Sequence, residues 1–248
     1  MAGAYTAMPD FVSTPERPDG WSIIWPYPGP YPPGYEPPEE LSSVPAASDD
    51  NPPEEPPDKI EQDWEITLNT PDPTINSPQI YAYISPINGS TSLYAFLLLN
   101  YSDTPEYVAG GMQFQLWDGE EIVSTQEFAS GFQLNTIGEI ITFTLRMEIQ
   151  DRILNPDELN FSVHYGESDT WGSFGTGGFD LGDDAPILSG IFPIEDLSTY
   201  RTSKSVSASA VGFGGQRVDL MRITQVRYYK DDVLIGQDDS EHIVHQWL

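Results

Sequence analysis

The stretch MQFQLWDGEEIVSTQEF, residues 112–128, is the part of the sequence that decides the fold class. Its first half alternates apolar residues with glutamines, which is the period of a half-buried β-strand. Asp118 and Gly119 follow, and both residue types tolerate the positive φ of a type I′ turn. Residues 112–117 and 121–128 are therefore predicted to form a β-hairpin.

The same alternation recurs on the N-terminal side of this hairpin and beyond it. Its apolar positions are Trp64, Ile66 and Leu68; Ile80, Ala82 and Ile84; and Ile141, Phe143 and Leu145. About seven strands, separated by turn residues, are predicted between Trp64 and Gly166. Short alternating strands at this spacing are typical of two packed antiparallel sheets. We therefore expect an all-β chain in which residues 64–166 form a β-sandwich.

A second β segment is predicted in residues 167–248, after a glycine-rich loop over residues 166–184. Alternation predicts a strand over residues 203–213 and a hairpin that joins 217–230 to 233–237. The inward face of this hairpin shifts between Leu220 and Met221, which indicates a β-bulge. The only helical patterns, residues 150–154 and 194–197, are too short for a stable helix. Whether this segment extends the first sandwich or forms a second small domain is left open by the pattern.

Two of the predicted hairpins resemble a known kind of module. The stretches VRYYKDDVLIG (residues 226–236) and QLWDGEEIV (residues 115–123) are similar to hairpins of the immunoglobulin-like modules in bacterial surface proteins and phage structural proteins. The resemblance implies a role in display or adhesion. It carries over no catalytic residues.

Residues 1–63 form a segment of different composition, which we call the arm. It holds 15 of the 23 prolines and cannot build a core of its own. The run over residues 25–35 favours polyproline II, whereas residues 36–63 are acidic and typical of a solvated linker. Aromatic rings are costly to leave in water, so we expect the arm to dock on a partner. The docking residues predicted in it are Trp21, Trp25, Tyr27, Tyr31 and Tyr35.

The charge and the cysteine content exclude several classes of partner and site. The formal net charge is −29, which opposes binding to nucleic acid and to anionic membranes. With no cysteine there is no disulfide, thiolate metal site or cysteine nucleophile. No secretory signal or membrane-spanning stretch is visible in the sequence, although its composition is typical of extracellular proteins. This combination fits a virion component released by lysis, or a mature chain whose signal was removed, so a virion or extracellular location is expected.

The sequence contains no recognisable catalytic motif, and we expect neither catalytic residues nor an obligatory cofactor. His242 and His245, three residues apart on a strand, are predicted to lie on opposite faces and not to share a metal. The carboxylates most typical of a site are in the glycine-rich loop: Glu167, Asp169, Asp180, Asp183 and Asp184. Of these, Asp180, Asp183 and Asp184 are the candidates for binding Ca²⁺, although their spacing matches no known calcium loop. Solvation of the loop is the alternative.

The aromatic residues of the same loop support two interpretations. Exposed rings beside carboxylates could bind a carbohydrate. Trp171, Phe174 and Phe179 could instead fold back and cover one end of the sandwich. The second arrangement is the one we expect.

A cluster of basic residues in the C-terminal segment is a candidate surface for a partner. Arg217, Arg222 and Arg227 lie in a stretch that is poor in acids, whereas the arm is strongly acidic. The arm of one copy is therefore expected to lie on the C-terminal sheet of another. Alternatively, these arginines pair with acids of their own domain, such as Asp231 and Asp232.

Together these features predict a non-enzymatic structural component of a viral particle or filament, of the capsid-decoration, head-fibre or minor-tail type. Its arm would bind other protein chains, either copies of itself in a homo-oligomer or a shell or tail protein. The alternative is a surface-adhesion or carbohydrate-binding β-sandwich module. A third candidate is an enzyme of the glycoside hydrolase kind, because paired carboxylates cannot be recognised from spacing alone.

Overall fold

The computed structural model describes most of the chain from residue 53 onward. The described residues are 53–69, 77–86, 93–101, 111–128, 132–150, 158–175, 187–191, 194, 196–212 and 214–247. Most of the predicted arm, residues 1–52, lies outside them.

The described residues form two antiparallel sheets and one short helix. Sheet A contains β1 (Lys59–Leu68), β6 (Ile140–Gln150), β7 (Glu158–Ser168), β8 (Gly172–Phe174), β9 (Ile187–Ile191), β11 (Val218–Lys230), β12 (Val233–Asp238) and β13 (His242–Gln246). Sheet B contains β2 (Ile80–Ile84), β3 (Leu93–Tyr101), β4 (Gly111–Asp118), β5 (Glu121–Phe128) and β10 (Ala210–Val211). The helix, α1, spans Thr202–Ala208. The prediction of an all-β sandwich is confirmed.

The strand order of sheet A is β12-β11-β1-β6-β7-β8, with β13 also paired to β11 and β9 to β7. The order of sheet B is β10-β2-β3-β4-β5. Since β11 pairs directly with β1, the C-terminal β segment shares a sheet with the first strand.

Strand β1 lies at the centre of sheet A, paired with β6 on one side and β11 on the other. Its apolar residues Ile60, Trp64 and Ile66 point into the sandwich and are buried. The strand begins at Lys59, so the predicted boundary between residues 63 and 64 falls inside it. Residues 59–63 (Lys-Ile-Glu-Gln-Asp) are more polar than residues 64–68. The first half of the strand was therefore assigned to the acidic arm.

The core lies between the inner faces of the two sheets. Sheet A contributes alternate residues of β1, β6, β7 and β11, and sheet B contributes those of β2, β3 and β4. Phe143 packs against the ring of Phe174, and Trp171 packs edge-on against the same ring. Sandwich cores are built in this way when every second residue of each strand is apolar.

Both predicted hairpins are present, and their turns differ. β4 and β5 pair from Met112↔Phe128 to Asp118↔Glu121, and the first turn residue, Gly119, has φ +65°. Because only the first turn residue has positive φ, the turn has the pattern of type II′ and not the predicted type I′. Between β11 and β12, Asp231 and Asp232 have φ +48° and +62°, as a type I′ turn requires.

The predicted strand over residues 203–213 is wrong for most of its length. Residues 202–208 form α1, and only Ala210 and Val211 pair as a strand with β2. The buried positions are Thr202, Ser205 and Ser209, which have helical spacing. Small serines are compatible with both the two-residue repeat of a strand and the 3.6-residue repeat of a helix. The alternation of Val206 and Ala208 was therefore misleading. The side chain of Gln62 fixes the helix by donating to the Ser205 hydroxyl at 2.7 Å.

Strand β11 contains two irregularities where one was predicted. Its pairing with β1 skips Asp219 and Thr224, each of which is an extra residue opposite the regular ladder. The first lies next to the predicted shift between Leu220 and Met221. The two bulges keep Val218, Ile223 and Val226 buried although their spacing is not a multiple of two.

No helix of the described residues is long and apolar enough to cross a membrane.

We predict that Gly166→Ala destabilises the sandwich. A Cβ at this position would lie 2.3 Å from Cδ2 of the fully buried Phe174 ring, so the core would have to move. Overpacking of this kind costs about 1 to 3 kcal/mol in the free energy of unfolding. Urea denaturation measures the change. Gly215→Ala is the matched control, since its nearest neighbour is at 3.8 Å. Equal stability of the two variants would contradict the packing described here.

Candidate functional site

The outer face of sheet A is lined by ionisable side chains, and we call it the charged face. Strand β1 alternates strictly, so its acids point away from the core while its apolar residues point inward. Arginines from the two neighbouring strands stand beside these acids. The charged face is formed by Lys59, Glu61, Asp63, Glu65, Arg146, Arg222, Arg227 and Tyr229.

Glu61 is at the centre of the charged face and is 6% exposed. Arg146 donates to Oε1 from Nε at 2.8 Å, and Arg227 donates to Oε2 from Nε at 3.0 Å. The Tyr229 hydroxyl donates to Oε2 at 3.1 Å. Burial by itself would raise the pKa of Glu61, but the two guanidinium groups outweigh it and the pKa is lowered. Glu61 is therefore held as a carboxylate.

Arg227 joins Glu61 to the next acid of β1. Its Nη2 donates to Oδ1 of Asp63 at 2.8 Å, and its Nη1 lies 2.7 Å from Oδ2, which is a two-point contact. The hydroxyl of Thr144 also donates to Oδ1 of Asp63, at 2.7 Å. Planar two-point pairs of this kind are the stronger class of ion pair.

The three arginines predicted to bind a partner are engaged within their own domain. Arg222 contacts Glu65 at 2.5 Å and Glu241 at 2.7 Å. Arg227 is paired as described above. Arg217 is buried and donates from Nη2 to the carbonyl of Asn135 at 2.6 Å. The contacts of Arg222 and Arg227 correspond to the predicted alternative of pairing within the domain, although with other acids than Asp231 and Asp232. Arg217 contacts a backbone carbonyl instead.

His164 lies on the same face and is 5% exposed. Its Nε2 is 2.7 Å from the hydroxyl of Ser162. Burial, with a smaller contribution from the charge of Arg146, lowers the pKa of His164 to about 4. The imidazole is therefore neutral near pH 7.

A shallow groove of about 400 Å³ lies on the charged face, and the core residues Trp64 and Phe143 contribute to its lining. Its polar lining is Asp63, Glu65, Thr142, Thr144, Thr224 and Arg227. Tyr165 stands at its side with 60% of its surface exposed and φ +50°. A bulge in β7 causes this orientation, because Tyr165 and Gly166 together face one residue of β6 between the pairs Thr144↔His164 and Thr142↔Glu167. Bulges commonly re-aim a side chain in this way.

The outer face of sheet B has a different chemistry, and we call it the aromatic face. Tyr83, Phe96 and Leu98 form a hydrophobic cluster that is separate from the core, and Tyr81, Tyr94, Trp117 and Ala208 pack around it. The amide side chains of Gln113 and Gln115 continue this face on β4, where the indole N–H of Trp117 donates to Gln115 at 2.9 Å.

The geometry of the rings determines whether a ligand can contact the face or only the edge of each aromatic side chain. The ring of Tyr94 stacks on Tyr83 with centroids 5.4 Å apart and on Trp117 with centroids 6.0 Å apart. The interplanar angles are 28° and 12°. Because its faces are covered by neighbours, Tyr94 presents mainly an edge.

The glycine-rich loop is only partly described. Trp171 is 5% exposed and Phe174 is fully buried, so these two rings cover the end of the core, as expected, and form no exposed platform. Glu167 and Asp169 are exposed. Phe179 and the calcium candidates Asp180, Asp183 and Asp184 lie outside the described residues, as do Trp21, Trp25, Tyr27, Tyr31 and Tyr35.

The described part of the chain contains no group of three or more side chains suited to hold a metal ion. The prediction that His242 and His245 lie on opposite faces is wrong, because a register shift places them opposite Ile223 and Met221, which share a face of β11. They nevertheless have different surroundings. His242 contacts Asp238 at 2.9 Å, and burial lowers the pKa of His245.

Sequence reasoning missed the charged face and Tyr165. The acids at positions 61, 63 and 65 alternate with buried residues, and this signal was present in the sequence. It was concealed because residues 59–63 were assigned to the acidic arm. Nothing in the sequence marks the bulge that turns Tyr165 outward.

We predict that Glu61→Gln destabilises the fold, because it leaves Arg146 and Arg227 without their shared carboxylate. Removing one partner of a buried ion pair costs about 3 to 5 kcal/mol, and partial exposure of the arginines places this one near the lower end. The matched control is Glu148→Gln, whose contact with Lys59 is 3.9 Å long. That variant should change stability by about 0.5 kcal/mol or less, as measured by urea denaturation.

A second prediction concerns pH. The pKa of His164 is lower in the folded protein than the ordinary value of 6.5, so the unfolded chain takes up a proton first. The contribution of neutral His164 to the free energy of unfolding is therefore fully present above pH 6.5 and is lost as the pH drops towards 4. The loss between pH 6.5 and 4.5 should be about 2 to 3 kcal/mol.

The variant His164→Gln should show a smaller loss of stability over the same interval. Urea midpoints measured at several pH values give both slopes. The wild type and the variant both retain His245, so the difference between their slopes measures the contribution of His164 alone. Parallel slopes would mean that His164 does not titrate as described.

In comparisons with known proteins, no protein-family model, no curated protein and no solved structure matches this chain. Function is therefore inferred from the two outer faces and from the sequence of the arm.

Proposed function

We propose that the protein is a non-enzymatic structural component of a viral particle or filament, of the capsid-decoration, head-fibre or minor-tail type, and that its arm anchors it to neighbouring chains. The sandwich would serve as an immunoglobulin-like display module. The observation that carries the proposal is the aromatic face. There the partly exposed rings of Tyr81, Tyr94 and Trp117 lie over a second apolar cluster outside the core. Partly exposed tyrosine and tryptophan side chains are enriched at protein-binding surfaces.

The proposed occupant of the aromatic face is the segment of residues 25–35 from a neighbouring copy. This segment is rich in proline and tyrosine and has no charged residue. Proline-rich segments in polyproline II conformation bind to grooves lined by aromatic side chains, and they lose little conformational entropy on binding.

The geometry of the rings favours a peptide over a sugar on this face. A sugar stacks on the open face of an aromatic ring, whereas the ring of Tyr94 is covered by Tyr83 and Trp117. Ring edges can instead pack against the apolar rings of proline residues.

The two other candidate functions gain less support from the described residues. Carbohydrate binding by the glycine-rich loop would need Trp171 and Phe174, which are buried. A glycoside hydrolase needs a carboxylic acid whose pKa is raised, so that it can donate a proton. The pKa of Glu61 is lowered, and Asp63 is held by Arg227.

We predict that replacing Trp21 and Trp25 together with alanine weakens self-association without lowering the melting temperature of the sandwich. Interface tryptophans cost about 2 kcal/mol or more each when truncated, so the dissociation constant should rise roughly a thousandfold when both are removed. Sedimentation velocity measures association, and circular dichroism measures melting. Trp247→Ala, an exposed tryptophan near the C-terminus, is the matched control.

Combining the arm variant with Trp117→Ala tests the proposed contact. If the arm binds to the aromatic face, the two changes should be strongly non-additive in the free energy of association. Additive effects would place the arm elsewhere. Unchanged association of the Trp21, Trp25 variant would show that the arm is only a tether.

A further inference from the structure

We propose that the groove beside Tyr165 is a binding site for a neutral saccharide. This inference concerns the opposite sheet from the aromatic face and goes beyond the proposed role in assembly. It is carried by the exposed tyrosine ring, the charge balance of the groove and the hydroxyl groups that line it.

The charges that border the groove are already paired. Arg227 makes a two-point contact with Asp63, and Arg222 contacts Glu65. An anionic ligand would have to compete with these carboxylates for the arginines. A metal ion would have to displace the arginines from the carboxylates. An uncharged ligand disturbs neither pair, so the electrostatics favour a neutral molecule.

The groove also offers hydrogen-bonding groups of both kinds at its surface. The hydroxyl of Thr142 can donate and accept, whereas those of Thr144 and Thr224 already donate to Asp63 and can accept. The carboxylates of Asp63 and Glu65 are acceptors, and each carboxylate has about four lone-pair sites, more than its protein partners occupy. A ligand dense in hydroxyl groups matches such a surface, because its hydroxyls can donate to the carboxylates and to Thr144 and Thr224 and can accept from Thr142.

Tyr165 supplies the apolar part of the site. Its side chain is 60% exposed although its neighbour His164 is buried. A bulky residue with positive φ is a conformational outlier, and such outliers persist where the surrounding structure fixes them, often at binding sites. Here the bulge places the ring at the side of the groove, where the apolar C–H face of a sugar ring can pack against it.

The shape of the groove indicates the size of the ligand. It is shallow and open to solvent, and its volume of about 400 Å³ lies near the lower end of the usual range for ligand sites. A small site that is open to solvent can hold part of a longer chain. We therefore infer an oligosaccharide or a polysaccharide chain in preference to a free monosaccharide.

The test uses the full-length protein on an array of immobilised neutral and acidic oligosaccharides, since dense display compensates for the weak affinity of a shallow site. The wild type should bind at least one neutral oligosaccharide. Tyr165→Asn should reduce that signal at least tenfold, because asparagine tolerates positive φ but has no ring. Tyr165→Phe keeps the ring and should retain most of the signal.

Two further variants test whether the binding signal depends on the groove itself and not on the stability of the fold. Thr142→Val removes one hydroxyl of the groove without changing the size of the side chain, and it should weaken binding severalfold. Phe132→Ala removes a ring that is 68% exposed and lies outside the groove lining, and it should bind like the wild type. Melting curves of all variants verify that the sandwich is intact.

The proposal is overturned if the wild type binds no neutral oligosaccharide, if it binds acidic oligosaccharides alone, or if binding survives in a folded Tyr165→Asn variant. Sedimentation velocity of the same variants measures self-association, so that the saccharide proposal and the proposed role in assembly are tested separately. Tyr165→Asn should self-associate like the wild type. A loss of association in that variant would count against the separation of the two faces.

Discussion

The register of β1 is the constraint on which the rest of the structure depends. This strand pairs with β6 and β11 along almost its whole length, and its side chains alternate between the core and the charged face. A shift of one residue would turn Glu61 and Asp63 into the core and expose Ile60 and Trp64. The ion pairs with Arg146 and Arg227 oppose that shift, since each arginine stands directly opposite Glu61 in the correct register. Hydrophobic burial and charge pairing thus specify the same alignment.

The outer faces of the two sheets differ in chemistry: that of sheet A is charged and that of sheet B is aromatic. The chain has only 10 basic residues against 39 acids, and several of the bases are used in ion pairs on the charged face. The acids elsewhere therefore have few positive partners within the chain. Copies of the protein repel one another at low ionic strength, and salt screens that repulsion beyond about 10 Å. The partly exposed rings of the aromatic face carry no charge, so this repulsion acts least there.

Sequence patterning was sufficient for the strands whose apolar residues alternate strictly, such as β4 and β6, and for both hairpins. It failed where two periods are compatible with the same residues, as in the serine-rich α1, or where a strand is amphipathic with charges on one side, as in residues 59–63. The candidate sites depend on pairing between distant residues: Glu61 meets Arg146 and Arg227 only because the sheet brings these strands together. No local pattern contains that information. The turn type at Gly119 and the bulge at Tyr165 likewise depend on the twist and register of the neighbouring strands.

The chain enters the sandwich through a short segment that is held closely to the ends of its neighbours. The amide of Asp58 donates to the carbonyl of Tyr229 at 3.0 Å, and its carbonyl accepts from Ile149 at 2.8 Å. Lys59 forms an ion pair with Asp232 in the turn of the adjacent hairpin. A pull on the N-terminal side, directed along β1, would load the central strand in shear, so that the hydrogen bonds to both neighbours share the force instead of breaking one after another. The point at which the chain enters the sandwich is therefore arranged to resist tension.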